Sequence, residues 1–176
     1  MSLSMYQASI PAFIRGLDVL ATLVGKARTF AEENKIAPEV LVNARLAPDM
    51  FPFSSQIQRA SDTSKLAAER LTGIKSPRLE DNESTFAELQ ERIVKTIDYL
   101  KSVDAAHFEN SEERTVTLNF GEFKPTFRGD EYLLGFALPN FYFHVATAYD
   151  ILRHNGLKIG KLDFLGMRPG QQAKKP

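Results

Sequence analysis

The chain has 176 residues, enough for one domain and too few to call for a second core. Its residues are 43% hydrophobic and 25% charged, with 22 Lys+Arg balanced by 22 Asp+Glu and no cysteine. This composition excludes a disordered chain, a basic nucleic-acid or membrane footprint, disulfides, thiolate metal centres and cysteine nucleophiles.

The start, MSLSMY, has no basic segment leading into an apolar one, so it does not read as a signal peptide. No contiguous apolar run reaches the ~18 residues of a membrane span. The expected setting is cytoplasmic, with neither membrane nor nucleic acid as a partner. The residues ahead of Met5 are expected to be poorly ordered.

Tyr6, Ile10, Phe13, Leu17, Leu20, Val24, Ala27 and Ala31 recur at spacings of four and three. That is one apolar stripe on a helix of about seven turns. Ser9 ahead of Ile10-Pro11 suggests regular helix from there, with Pro11 in the first turn. Pro38, Pro48 and Pro52 then interrupt the chain, leaving room for a turn or two at Glu39–Val42. A second long helix is predicted over 53–71, stopped by Gly73. Small residues line it, among them Ser54, Ser55, Ala60, Ser61, Ser64, Ala67 and Ala68. They permit close helix approach or leave room for a pocket.

Residues 74 to 84 are polar and acidic and read as a solvated loop. Thr85-x-x-Glu88 fits a capping box for a third helix, with Phe86, Leu89, Ile93, Ile97 and Leu100 as its buried face. Glu88/Arg92 and Glu91/Lys95 are expected to pair on its solvent side. Val116, Leu118 and Phe120 alternate, Gly121-Glu122 follows, then Phe123, Pro125 and Phe127 alternate. A two-residue turn with Gly first predicts a hairpin pairing Phe120 with Phe123, Leu118 with Pro125 and Val116 with Phe127. All six fall on one face. A fourth helix is predicted from Asp130, as cap, to His154, with Gly156 as stop. It is apolar on nearly every side, hence buried, and Pro139 should kink it. Phe164 and Leu165 should fold back. Residues 1–166 form one domain, and 167–176 a flexible tail.

The chain has three histidines. His107 reads as a surface residue, and His154 suits the carbonyl end of the fourth helix. His144 lies in the apolar stretch Phe141-Tyr142-Phe143-His144-Val145, and Asn140 shares its helix face one turn earlier. Buried imidazole and amide groups need partners. They form either a satisfied polar cluster that fixes helix register or the polar floor of a pocket between helices.

Four long helices, a long crossover and a hairpin before the last helix resemble the DinB/YfiT-like superfamily. Leu138-Pro139-Asn140-Phe141-Tyr142-Phe143-His144, Thr147-Ala148-Tyr149, Leu152-Arg153-His154-Asn155-Gly156 and Gly160-Lys161-x-Asp163-Phe164-Leu165-Gly166 resemble one branch of it, known as an uncharacterised bacterial and fungal domain of unknown function. The resemblance implies an all-α, up-down-down-up four-helix bundle. It also implies a divalent metal, zinc or nickel, held by one histidine near the start of helix two and a His-x-x-x-His pair on helix four. Some members are thiol-dependent transferases or isomerases. Residue by residue, His144 matches the second histidine of the pair, Asn140 stands where the first belongs, and Gln56 occupies the helix-two position.

Two amides and one imidazole make a weak metal site. The expectation is therefore a small-molecule pocket floored by Gln56, Asn140 and His144 that has lost the full metal triad, in a homodimer. The alternative is a divalent-metal-dependent enzyme, of thiol-dependent transferase, isomerase or hydrolase type, with His144 as the candidate ligand.

Overall fold

The structure, a computed structural model, describes residues 3–167. The expectations for Met1, Ser2 and the tail from residue 168 onward lie outside those residues. Four long helices make the bundle: α1 (Met5–Glu33), α3 (Phe53–Thr72), α4 (Phe86–Ser102) and α6 (Leu138–His154). Short α2 (Pro38–Val42) bridges the first two. Strands β1 (Thr115–Thr117) and β2 (Thr126–Arg128) form the hairpin, α5 (Gly129–Tyr132) leads into α6, and α7 (Lys161–Phe164) closes the described chain. Around the bundle the order is α1, α4, α3, α6, with α1 and α3 facing across the diagonal and α3–α6 the largest interface.

The predicted stripe of α1 is core, from Ile10 through Ala31. The helix nevertheless starts earlier than Ser9–Ile10. Ser4 Oγ accepts the Gln7 N–H at 3.2 Å, and the Gln7 side chain accepts the Ser4 N–H at 3.1 Å. This closed capping box outweighs the proline, which sits inside the helix. Gln7 and Pro11 are both exposed, so the carbonyl that Pro11 leaves without a donor lies in a solvated stretch. An 18-residue window of α1 has mean hydropathy 1.4, long and apolar enough to cross a membrane by length and composition. No contiguous apolar run reaches that length, because Arg15 and Asp18 interrupt the stretch. Half of that window is buried inside the bundle.

Close approach fixes α1 against α6. A Cβ on Gly16 would lie 2.3 Å from the Phe141 ring, which also meets Phe13 edge-on at 5.0 Å. Gly73, with φ 83°, ends α3 in the left-handed region as predicted.

The acidic segment between α3 and α4 is not a free solvated loop, and Arg92 is not on the solvent side. Glu88 is committed to the α4 capping box, accepting the Thr85 N–H at 2.9 Å. The Arg92 side chain, 1% exposed, instead reaches Asp62 at 2.8 Å, Asp81 at 3.0 Å and Glu83 at 2.9 Å. It also donates to the Glu80 carbonyl at 3.0 Å. Arg59 and Lys65 join Asp62, so three cations meet three carboxylates. A buried guanidinium needs several acceptors, and here α3 supplies Asp62 while the acidic connection supplies Asp81, Glu83 and the Glu80 carbonyl. Glu91 and Lys95 do pair on the surface, at 2.7 Å.

The hairpin has the predicted register, with Val116 opposite Phe127, the Leu118 N–H donating to the Pro125 carbonyl at 2.9 Å and Phe120 bridged to Phe123. Gly121 supplies the positive φ of 74° at the turn. Its apolar face divides. Val116 and Leu118 are buried, while Phe120 and Phe123 at the tip are 54% and 68% exposed. Phe120 then leads inward through Phe136, at 6.1 Å, to Tyr132.

Asp130 is not the cap of the last helix. Arg128, in extended conformation, caps α5, and Asp130 pairs with its guanidinium at 2.7 Å. Residues Leu133–Ala137 form a π turn joining α5 to α6, in which the Leu138 N–H reaches the Leu133 carbonyl five residues back. This irregularity stands immediately before Pro139. Nor is the helix buried all round, since Leu134 and Phe143 are exposed. Phe164 folds back edge-on against Tyr149 at 6.1 Å, and Lys26 holds Asp163. Leu165 stays largely outside.

Arg92→Ala leaves Asp62, Asp81 and Glu83 without their common cation. The expected loss is about 3 kcal/mol, the lower end for a broken buried pair, because the carboxylates keep some solvent. Urea denaturation measures it. Glu91→Ala, breaking an exposed pair, should cost under about 0.5 kcal/mol.

Candidate functional site

On α3, Gln56, Arg59 and Thr63 lie at i, i+3 and i+7 and so share one edge. On α6, Asn140 and His144 lie at i and i+4. The two edges meet. His144 Nδ1 is 2.8 Å from Gln56 Oε1, and Asn140 Nδ2 donates to Thr63 Oγ1 at 2.8 Å. All three residues singled out from sequence therefore lie on the α3–α6 seam. Only two of them bond to each other. The partner of Asn140 is Thr63, which the sequence reading missed, although its spacing from Gln56 places it on the same edge.

The bonding assigns the hydrogens. Gln56 Nε2 donates to the Phe51 carbonyl at 2.9 Å, which leaves Oε1 to face the ring. An amide oxygen only accepts, so His144 carries its proton on Nδ1 and keeps the Nε2 lone pair. His144 is 8% exposed. Burial, and after it the Arg59 cation, push its pKa down to about 4, so the ring is neutral at neutral pH. Phe143 meets the ring edge-on at 5.3 Å, and Arg59 lies over the Phe51 ring at 5.8 Å. Both phenylalanines are exposed.

This donor set does not fit a divalent ion. Among the described residues no three His, Cys, Asp or Glu side chains converge. His144 offers one imidazole nitrogen. Gln56 Oε1 is occupied by the ring N–H, and Asn140 turns its amide to Thr63. Zinc and nickel require several imidazole, thiolate or carboxylate donors. Three surface clefts lie elsewhere: one between the start of α1 and the α5–π segment, one along α1 beside residues 157–159, and one over Arg92. Gln56, Asn140 and His144 line none of these three. At the seam the chain therefore has a hydrogen-bonded cluster in which His144 Nε2 and Asn140 Oδ1 have no hydrogen bond among the described residues.

Residues 5–165 match the family DUF1993, described as a domain of unknown function. A crystal structure of a DinB family member from Shewanella denitrificans is similar over 96% of this chain and 96% of that one, with 38% sequence identity and a TM-score of 0.88. No curated protein matches.

The low pKa of His144 has a thermodynamic consequence. The folded state keeps the ring neutral to about 4, while the unfolded ring titrates near 6.5. Stability from this residue is therefore full above the unfolded value and falls as pH drops from there towards 4. The slope in that window is about 1.4 kcal/mol per pH unit. Denaturant midpoints of wild type and His144→Gln across the window should converge as pH falls, because the variant lacks the titrating group.

Proposed function

The chain belongs to the DUF1993 family and has a DinB-like helical fold, and from that premise we propose that it is a metal-independent binding protein whose small-molecule site is the α3–α6 seam at Gln56, Asn140 and His144. The observation that carries this reading is the 2.8 Å bond from His144 Nδ1 to Gln56 Oε1. It uses the helix-two amide to orient a neutral imidazole, and it leaves Nε2 as an acceptor. Such a group takes an uncharged N–H or O–H donor from a ligand. The exposed rings of Phe51 and Phe143 supply apolar surface nearby. A few polar groups set among apolar ones is the pattern of small-ligand recognition.

The same proposal places the protein in the cytoplasm as a homodimer. Exposed Phe120, Phe123, Leu134 and Phe143 support self-association, since a twofold contact is the common way to cover such residues. A sedimentation mass near the monomer value of 19.7 kDa at micromolar concentration counts against the dimer.

Metal analysis by plasma mass spectrometry, on untagged protein purified without chelator, decides the central point. The expected outcome is no stoichiometric zinc, nickel or iron, and no thermal stabilisation when zinc or nickel is added. Near-stoichiometric metal that disappears in His144→Ala would overturn the proposal in favour of the metal-dependent enzyme. A fragment screen by thermal shift should then yield hits that stabilise the wild type and not His144→Ala.

A further inference from the structure

The cleft between the start of α1 and the α5–π segment has a volume of about 520 Å³. That is within the ~300–1,000 Å³ range of small-molecule sites. Its apolar lining includes Phe108 and Leu133, both buried, together with Leu3, Met5, Ala8 and the exposed Leu134. The π turn presents Leu133 and Leu134. The polar side is acidic. Glu109, Glu112 and Asp130 line the cleft, and among the described residues no Lys, Arg or His does.

These carboxylates differ in what already neutralises them. Asp130 is paired with Arg128 at 2.7 Å. Glu109 and Glu112 have no ion pair or side-chain hydrogen bond among the described residues. The positive end of α1 also opens here, at Ser4 and Met5. A helix end is worth roughly half a unit charge, and this one is capped by its own Gln7. Two full negative charges outweigh it. A metal ion is not the match: two flexible glutamates do not complete a ligand set, and no cluster of three metal-ligating side chains forms here.

We propose that this cleft binds an organic cation, an amine or quaternary ammonium carried on an apolar body. The apolar part rests on Phe108 and Leu133, and the ammonium group meets Glu109 and Glu112 at the rim. The site is separate from the His144 seam, so it stands or falls independently of the reading given for that seam.

Three probes with one apolar body and different head groups test it: 4-phenylbutylamine, 4-phenylbutanol and 5-phenylpentanoate. Calorimetry and NMR on the full chain are the measurements. The amine should bind once, shift the Phe108 and Leu133 resonances, and bind about tenfold tighter than the alcohol, with the carboxylate weakest. The double variant Glu109→Gln/Glu112→Gln changes only solvent-accessible side chains and should fold as wild type, with amine affinity reduced to that of the alcohol. Ala8→Phe, which fills the cleft, should abolish binding of all three, and His144→Ala should leave it unchanged. Equal binding of amine and alcohol, shifts located elsewhere, or no binding of the amine would each overturn the proposal.

Discussion

Helix α3 is buried on most of its surface and polar along much of its length, and that combination organises the molecule. Burying a hydroxyl, amide or charge is unfavourable unless it finds a partner. Gln56 finds His144 and the Phe51 carbonyl, Gln58 finds Glu83, Ser61 finds Thr96, and Thr63 accepts from Asn140. Lys65 and Arg92 share Asp62. The two helices packed most extensively on α3 therefore each contribute polar groups aimed at it. α4 brings Arg92 and Thr96, α6 brings Asn140 and His144, and the acidic connection is drawn in to neutralise the guanidinium. Apolar packing alone would allow these helices to slide. Paired polar groups at fixed heights do not.

The same requirement explains why the seam looks like a metal centre and lacks its chemistry. The fold brings a helix-two side chain and two helix-four side chains to one edge, as the resemblance implies. Here those side chains satisfy one another and a threonine. A buried amide–imidazole bond supplies the orientation that an ion would otherwise impose, and it does so without adding charge to a poorly solvated place. Burial first, and the nearby Arg59 after it, make an added positive charge unfavourable there, as they do for the protonated His144 ring.

What was legible in the sequence follows from the range of the forces involved. The α1 stripe, the Thr85–Glu88 box, the Gly73 stop and the hairpin register depend on residues within a turn or two, and each is where spacing placed it. His144 and Gln56 were recognisable as partners only through family resemblance, since 88 residues separate them. Arg92 misled because an i,i+4 carboxylate was available on paper, while its real acceptors lie on α3 and in the acidic connection. Pro11 misled because a proline reads as a start signal, whereas the Ser4–Gln7 box closes one turn earlier. Thr63 showed its helix edge by its spacing from Gln56 but not its partner on α6, and the cleft beside α1 gave no local signal. That contact and the cleft arise from helices brought together by the tertiary fold.

The π turn at Leu133–Ala137 carries a consequence for the phase of the last helix. A five-residue hydrogen-bond step is equivalent to one residue inserted into an α-helix, and one residue is about 100° of rotation. Upstream of it, Tyr132 faces the aromatic side chains of the hairpin. Downstream, Asn140 and His144 face α3. One continuous segment can serve both surfaces because its two halves are indexed differently. Phe136, inside the turn, touches Phe120, Phe127 and Tyr132 together, as a residue at a change of phase would. The extra residue thus acts as a gear offset: the hairpin can sit where it does only because the helix rotates before it reaches the seam.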